Sequence, residues 1–297
     1  MIPNQKYLKN EINSRMMIFT FLTVCAFVSM FPFIWMILGS FKSYAEINRP
    51  IPVLLPEIWR FSNYIEAWNT PDSTFSRYYW NTIVISILGV GLQMAVCIPA
   101  AYALANLKFK YKDLLFLGII ATMMIPGDIT LVPNFMIIRN IPFAGGNSAF
   151  GSGGRGLYDS YMGIVLPGVV SSFNIFLLRQ AFMSVPSDYW QASQIDGLGH
   201  FGYMRRILIP LCGASIITAC LLAFIWRWNS LQWPLLITAS EHMRTLQVGL
   251  MYFRSEEGAK PQLIMAAATF SVLPILIFYF FVQKQFTEAI TGAGIKG

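Results

Sequence analysis

The chain has 297 residues, of which 56% are hydrophobic and 15% aromatic, while only 12% are charged. A soluble domain carries about a quarter charged residues, so these side chains cannot cover a water-soluble surface and the lipid bilayer is the expected solvent. The net charge of +7 is modest and scattered, which excludes a nucleic-acid-binding stripe and points instead to basic loops on one side of a membrane.

A spanning helix needs roughly 20 apolar residues to cross about 30 Å of hydrocarbon. Six runs fit: about 16–38, 82–105, 114–138, 161–178, 207–226 and 263–282. The first follows Lys6, Lys9 and Arg15, as a signal peptide would, but it is too long for a signal core and no small-residue cleavage pattern follows, so it reads as a retained span. The third is interrupted by MIPGDITLVP, where Pro126 and Gly127 should kink or break the helix. Asp128, the one acid within an apolar run, is either a functional group or a cap for the half-helix after the break. Pro167, Pro210 and Pro274 fall in the fourth, fifth and sixth runs. Carbonyls freed by proline need partners in lipid, so the spans should pack on one another and line a cavity.

The connections 39–81, 139–160 and 227–262 are long, while KFKYKD at 108–113 is short and carries three lysines. With the basic amino-terminal tail and Arg205 and Arg206, it defines the cytoplasmic side and puts both termini there. AGGNSAFGSGGRG in the second long connection reads as a flexible stretch; no Lys-Ser or Lys-Thr follows its glycines, so it is no phosphate loop. Cys25, Cys97, Cys212 and Cys220 all lie in apolar runs and read as buried thiols. His200 and His242 have no ligand-spaced companions, so no metal site is expected.

Between the fourth and fifth spans lies SVPSDYWQASQIDGLGHFGYMRR, residues 184–206. Ser187 is placed to cap a short helix, with Asp188 in its first turn. Tyr189, Ala192 and Ile195 then share one side, with Gln191 and Gln194 beside them. Gly197 and Gly199 supply a stop and a turn, and a second stretch from His200 puts Phe201 and Met204 on one side. Such a helix pair either lies on lipid headgroups or docks into a groove of another protein.

The stretch resembles the EAA loop of ABC-importer permeases: Gln191-Ala192-Ser193 stands for Glu-Ala-Ala, Asp196-Gly197-Leu198 for Asp-Gly-Ala, and Ile209-Pro210-Leu211 for the apolar-Pro-Leu that follows. NTIVIS, PAAYALANLKF, MIPGDITLVP, IFLLRQAFMSVP, WNSLQWPLLI, RTLQVGL and ITGAGIKG resemble the carbohydrate branch, in particular the six-span maltose-type permease subunit with a MetI-like fold. The resemblance implies one all-α permease domain over 1–297 in the cytoplasmic membrane of a bacterium. It also implies a heterodimer with a second permease, two ATP-binding cassette subunits that bind the ATP, and an extracytoplasmic solute-binding protein. With no Walker sequence in this chain, ATP hydrolysis and any catalysis belong elsewhere.

By the same resemblance, Gln191, Ala192, Ser193, Asp196, Gly197, Phe201, Met204 and Arg205 couple to the ATPase. Ala192 and Gly197 allow close approach, and Asp196 braces the turn. Gln191 departs from the usual Glu and exchanges a possible salt bridge for a neutral hydrogen bond; Ser193 and Leu198 replace alanines. The tail Gly292–Gly297 is expected to reach the ATPases, and residues 244–254 the binding protein. Sugar sites use aromatic faces and amide hydrogen bonds, which makes Asn134, Asn174, Trp228 and Asn229 the candidates for the path. The alternatives are import of another solute, such as glycerol phosphate or an acidic oligosaccharide, and ion-coupled secondary transport, which needs mid-membrane ionisable groups beyond Asp128. A membrane enzyme would need clustered His, Asp, Glu or Cys, and none clusters.

Overall fold

The computed structural model describes residues 5–69, 75–256 and 260–294, with side chains from 13 to 69, 75 to 252 and 260 to 283. In chain order the helices are α1 (Gln5–Ser40), α2 (Tyr44–Ile47), α3 (Ser62–Trp68), α4 (Phe75–Asn106), α5 (Lys112–Thr122), α6 (Gly127–Arg139) and α7 (Tyr161–Val165). Then come α8 (Ser172–Met183), α9 (Asp188–Ile195), α10 (His200–Tyr203), α11 (Ile209–Leu211), α12 (Gly213–Trp228), α13 (Gln232–Ile237), α14 (Leu246–Glu256) and α15 (Pro261–Gly294). Of the tail Gly292–Gly297, the last three residues lie outside the described residues.

Three stretches, Asn13–Ser40, Phe75–Asn106 and Pro261–Gln283, are each long and apolar enough to cross a membrane. Three bent pairs bring the number to six: α5 with α6 at 100°, Tyr161–Gly168 with α8 at 50°, and His200–Leu211 with α12 at 81°. The fold is thus all-helical, and the break expected at Pro126 and Gly127 separates α5 from α6. Pro274, by contrast, sits inside an uninterrupted α15.

The chain divides into two compact units, 1–71 with 253–271, and 72–252 with 272–297. In the first, Phe41 gathers the rings of Trp59, Phe61 and Tyr64 at about the same centroid distance of 5.1–5.2 Å. Asn63, buried, donates to the carbonyls of Ser40 and Lys42 at 2.7 and 2.8 Å and so ties α3 to the end of α1. Ser43 and Glu46 form a capping box on α2. The Ser43 backbone N–H and hydroxyl bond the Glu46 carboxylate at 2.7 Å each. These two bonds, against the cost of burial and with help from the Glu57 N–H and Arg49, hold Glu46 down to about 2.

In the second unit the central pairing is α4 with α8, and α12 packs on both. Met94, Cys97, Ala101, Leu178, Phe182, Leu208 and Ala219 form one continuous core. Towards the first residues of α4, Asn81 is fully buried; its Nδ2 donates to the carbonyls of His242 and Arg244 at 2.8 and 2.9 Å, and its Oδ1 accepts from the Tyr161 hydroxyl at 2.6 Å. Thr82 Oγ1 accepts from the Leu246 N–H at 2.8 Å, so α4 anchors the segment that enters α14.

The glycine-rich connection, expected to be flexible, is a hydrogen-bonded turn. Asn147 donates to the carbonyls of Arg139 and Ile141 and accepts from the Gly154 N–H. Gly145 has φ +55°, and a Cβ there would meet the Gly156 backbone, so this close approach requires glycine. Asp159 next to it accepts from Ala239 N–H, Ser240 N–H and Ser240 Oγ at 3.0, 3.1 and 2.5 Å. Burial opposes ionisation, but these bonds outweigh it and leave the Asp159 carboxyl below its ordinary value.

Two outcomes follow. Replacing Asn81 by Ala strands a hydroxyl and two carbonyls and should cost about 2–3 kcal/mol, read as a lower melting temperature in detergent; an unchanged melting temperature contradicts the clamp. Glu46→Gln removes a depressed carboxylate, whose contribution is present above its unfolded value and lost as pH falls towards the folded one. The stability gap between wild type and variant should therefore be full at pH 7 and shrink below pH 4.5; a pH-independent gap contradicts the capping box.

Candidate functional site

Two features of the second unit lie at opposite ends of α4. Towards its start is an open cleft of about 790 Å³, lined by Thr82 and Ile85 of α4, the first turns of α6, Pro167 and Gly168, and the end of α12 with the turn after it. That is the size range of small-molecule sites. Its walls mix two indoles with amides and hydroxyls: Trp226 is 66% exposed, and Asn134, Asn229, Gln232, Thr130 and Ser230 also line it. Trp233, also in the wall, is fixed by its indole N–H on the carbonyls of Gly163 and Ile164.

Of the expected path residues, Asn134 and Asn229 line this cleft. Trp228 and Asn174 do not. Trp228 is buried between Tyr79 and Phe224, at ring distances of 5.7 and 5.5 Å. Asn174 is buried in the first turn of α8, where its backbone N–H bonds the Ser171 hydroxyl. The reason is helical geometry: at about 100° per residue, Trp226 and Trp228 face nearly opposite ways, and only the former reaches the cleft. Asp128 lies in the first turn of α6 and lines the cleft; the N-cap position belongs to Pro126, so Asp128 is not the cap.

Arg227 was not singled out by its sequence position, yet it is 6% exposed in the cleft wall. Its Nη2 donates to Gln93 Oε1 at 3.0 Å and to the Gly168 carbonyl. The signal was an arginine inside an apolar run, FIWRW. Room for the guanidinium is made by Gly89, where a Cβ would stand 2.6 Å from Nη1.

The other end of α4 meets the helix pair at 184–206. Trp190 of α9 stacks on the His200 ring at 4.5 Å and 10°, and the Tyr102 hydroxyl of α4 bonds His200 Nδ1 at 2.8 Å. Tyr203 closes the group edge-on to Trp190. Gly197, at φ +74°, turns the chain between α9 and α10. Ser187 precedes α9 but makes no side-chain cap, because its own backbone is already helical. A π-helical turn, Met204–Leu208, leads to Pro210, which has no N–H to give.

Of the expected coupling residues, Gln191, Ala192, Asp196, Gly197, Phe201 and Arg205 are exposed, whereas Ser193 and Met204 are buried. The Ser193 hydroxyl bonds the Trp190 carbonyl and its own carbonyl accepts from the Leu198 N–H, which holds the turn's shape. Met204 belongs to the core. Ile195 and Phe201 stand out at 88% and 70% exposure. Lys112, in the basic connection, donates to the carbonyls of Ala105 and Leu107 at this same end of α4. Arg179 of α8 bonds the Leu104 carbonyl and pairs with Asp113 at 3.7 Å. Among the described residues, no group of His, Cys, Asp and Glu could hold a metal ion.

Comparison with known proteins fits this arrangement. Residues 97–292 match the family described as binding-protein-dependent transport system inner membrane component. The arabinooligosaccharides transport system permease protein AraQ of Bacillus subtilis (strain 168) is 28% identical over 280 residues, covering 93% of this chain and 94% of that protein. A chain of a bacterial ABC transporter involved in the import of the acidic polysaccharide alginate superposes with a TM-score of 0.78 at 25% identity, covering 96% of this chain and 99% of that one. The MetNI methionine ABC transporter shares the fold, with a TM-score of 0.52 at 14% identity over 71% of this chain and 93% of that chain. A helical membrane chain with a cleft at one end of its central helix and an EAA-like loop at the other thus belongs to the inner-membrane permease components of binding-protein-dependent ABC importers.

Proposed function

We propose that this chain conducts a carbohydrate, as one half of a permease heterodimer driven by two ATPase subunits and fed by a solute-binding protein outside the membrane. The observation that carries the substrate class is the cleft: an open indole face at Trp226 in a wall shared with amides and hydroxyls is what a sugar's apolar face and hydroxyl edge require. Its similarity to a permease named for arabinooligosaccharides supports the same class. Asn134 and Asn229 would bond substrate; Trp228 and Asn174 would shape the helices behind them.

Residues 184–206 would face the cytoplasm, with both termini, and seat on an ATPase. Tyr189, Ile195 and Phe201 are exposed apolar side chains on a loop braced by Trp190, His200 and Tyr102, which suits a knob entering a protein groove. Gln191, Ala192, Asp196, Gly197 and Arg205 would border that contact, and Ser193 and Met204 would act from within by holding its shape. All of 1–297 would work as one permease domain, with residues 244–254 turned to the binding protein; their side chains are described only to Tyr252.

Two measurements test this. Phe201→Asp alters an exposed ring and should leave the chain folded and paired with its second permease while the ATPase is lost on co-purification; retention of the ATPase contradicts the docking role. In proteoliposomes with all subunits and the binding protein, Trp226→Ala should slow uptake of an oligosaccharide roughly three- to tenfold, as loss of a stacking face does. Uptake at the wild-type rate contradicts the cleft as the sugar path.

A further inference from the structure

The cleft holds a cation that the fold alone does not use up. Arg227 lies in the last turn of α12 and is 94% buried by its own exposure of 6%. A guanidinium has five N–H donors. Among the described residues only Nη2 is engaged, by two neutral acceptors, Gln93 Oε1 and the Gly168 carbonyl. Nε is buried without a hydrogen bond, and Nη1 makes none among the described residues. No carboxylate of the described residues comes within ion-pair distance. Asp128, the other ionisable group lining the cleft, is exposed on α6.

A desolvated charge left with neutral partners is costly inside a membrane. The site is nevertheless built for it: Gly89 leaves room for the guanidinium, since a Cβ there would stand 2.6–2.8 Å from Nη1, Cζ and Nε, and Gly168 leaves room on the other side at 3.1 Å from Nη2. These small residues and Gln93 fix the fork: Nη2 caps a carbonyl, Nε is enclosed beside Gly89, and Nη1 is left unbonded. Resting on the sugar reading above, we propose that the cleft takes substrates bearing an oxyanion, in the first place the carboxylate of an acidic oligosaccharide, and that Nη1 of Arg227 receives it. Trp226 would then stack on the ring that carries the charge. A phosphate ester offers the same oxyanion chemistry, and the test separates the two.

The test uses the complete transporter, with its second permease and ATPase subunits, in lipid nanodiscs, and measures direct binding of trigalacturonate, maltotriose and inorganic phosphate. The variants are Arg227→Gln, which keeps a donor for the Gly168 carbonyl but loses the charge, and Arg227→Lys, which keeps the charge but loses the fork. Trigalacturonate should bind wild type more tightly than maltotriose does. Arg227→Gln should weaken it about ten- to a hundredfold, as loss of a charge-assisted bond does, and leave maltotriose within about twofold; Arg227→Lys should fall between.

Equal binding of maltotriose and trigalacturonate to wild type overturns the oxyanion inference and leaves the sugar reading standing. Arg227-dependent binding of phosphate with neither sugar bound supports the oxyanion site and overturns the sugar reading. Absence of any Arg227-dependent binding overturns the inference. So does loss of the second permease from Arg227→Gln, because Arg227 would then be a subunit contact.

Discussion

A helix broken inside hydrocarbon survives only when something other than water satisfies the backbone groups it frees, and three of the six candidate spans here are broken. The gap between α7 and α8 shows how this is met. Its Gly168 carbonyl receives Arg227 from α12, its Ser171 carbonyl receives the Cys97 thiol of α4 at 3.8 Å, and the Ser171 hydroxyl bonds the first turn of α8. At the end of α5, just before the gap to α6, the Thr122 hydroxyl bonds the Ile119 carbonyl and meets the Ser172 hydroxyl of α8 at 2.7 Å. The first two breaks are therefore joined to each other, and the unbroken α4 packs against α5, α7, α8 and α12. The first turns of α6 and the turn at Gly168, both at breaks, line the cleft together with the end of α12.

This arrangement gives the chain two ends with different chemistry. Thr82, at the cleft, and Tyr102, at the loop, lie about 30 Å apart along α4 by the helical rise. A partner at the loop alters the cleft only if it binds one arrangement of the whole better than another. The Trp190–His200–Tyr102 group is suited to that, because ring stacking and a hydrogen bond tie α9, α10 and α4 together. The π-helical turn at Met204–Leu208 and the 81° bend before α12 then carry the same chain to Arg227 at the cleft.

Much of the fold was legible because its cause is local. Apolar run length marked the spans, and Pro126 with Gly127 marked the sharpest break. Proline alone was a poorer guide: Pro32, Pro99 and Pro274 lie inside continuous helices. The bends fall where a proline is followed at once or shortly by glycine or serine, as at Pro126-Gly127, Pro167-Gly168 and Pro210 before Gly213, residues that release the helix as well as remove a donor. The site was legible in part. Glycine and spacing marked the turn at Gly197, and Asn134 and Asn229, two of the four residues expected along the path, line the cleft. Arg227, Trp226 and the stacking of Trp190 on His200 were not, because each depends on which side of a helix faces a neighbour distant in sequence. The same holds for the glycine-rich turn, whose order comes from one buried amide, Asn147.

The central claim is that the loop at 184–206 and the cleft are the two ends of one device. It is tested most directly by the alkylation rate of a cysteine placed at Asn134, followed by site-resolved mass spectrometry in the complete transporter with and without a non-hydrolysable ATP analogue. The account predicts a nucleotide-dependent change of several-fold that disappears when Trp190→Ala unstacks the loop from His200. An alkylation rate indifferent to nucleotide in the intact protein, or a change that survives Trp190→Ala unaltered, would contradict it.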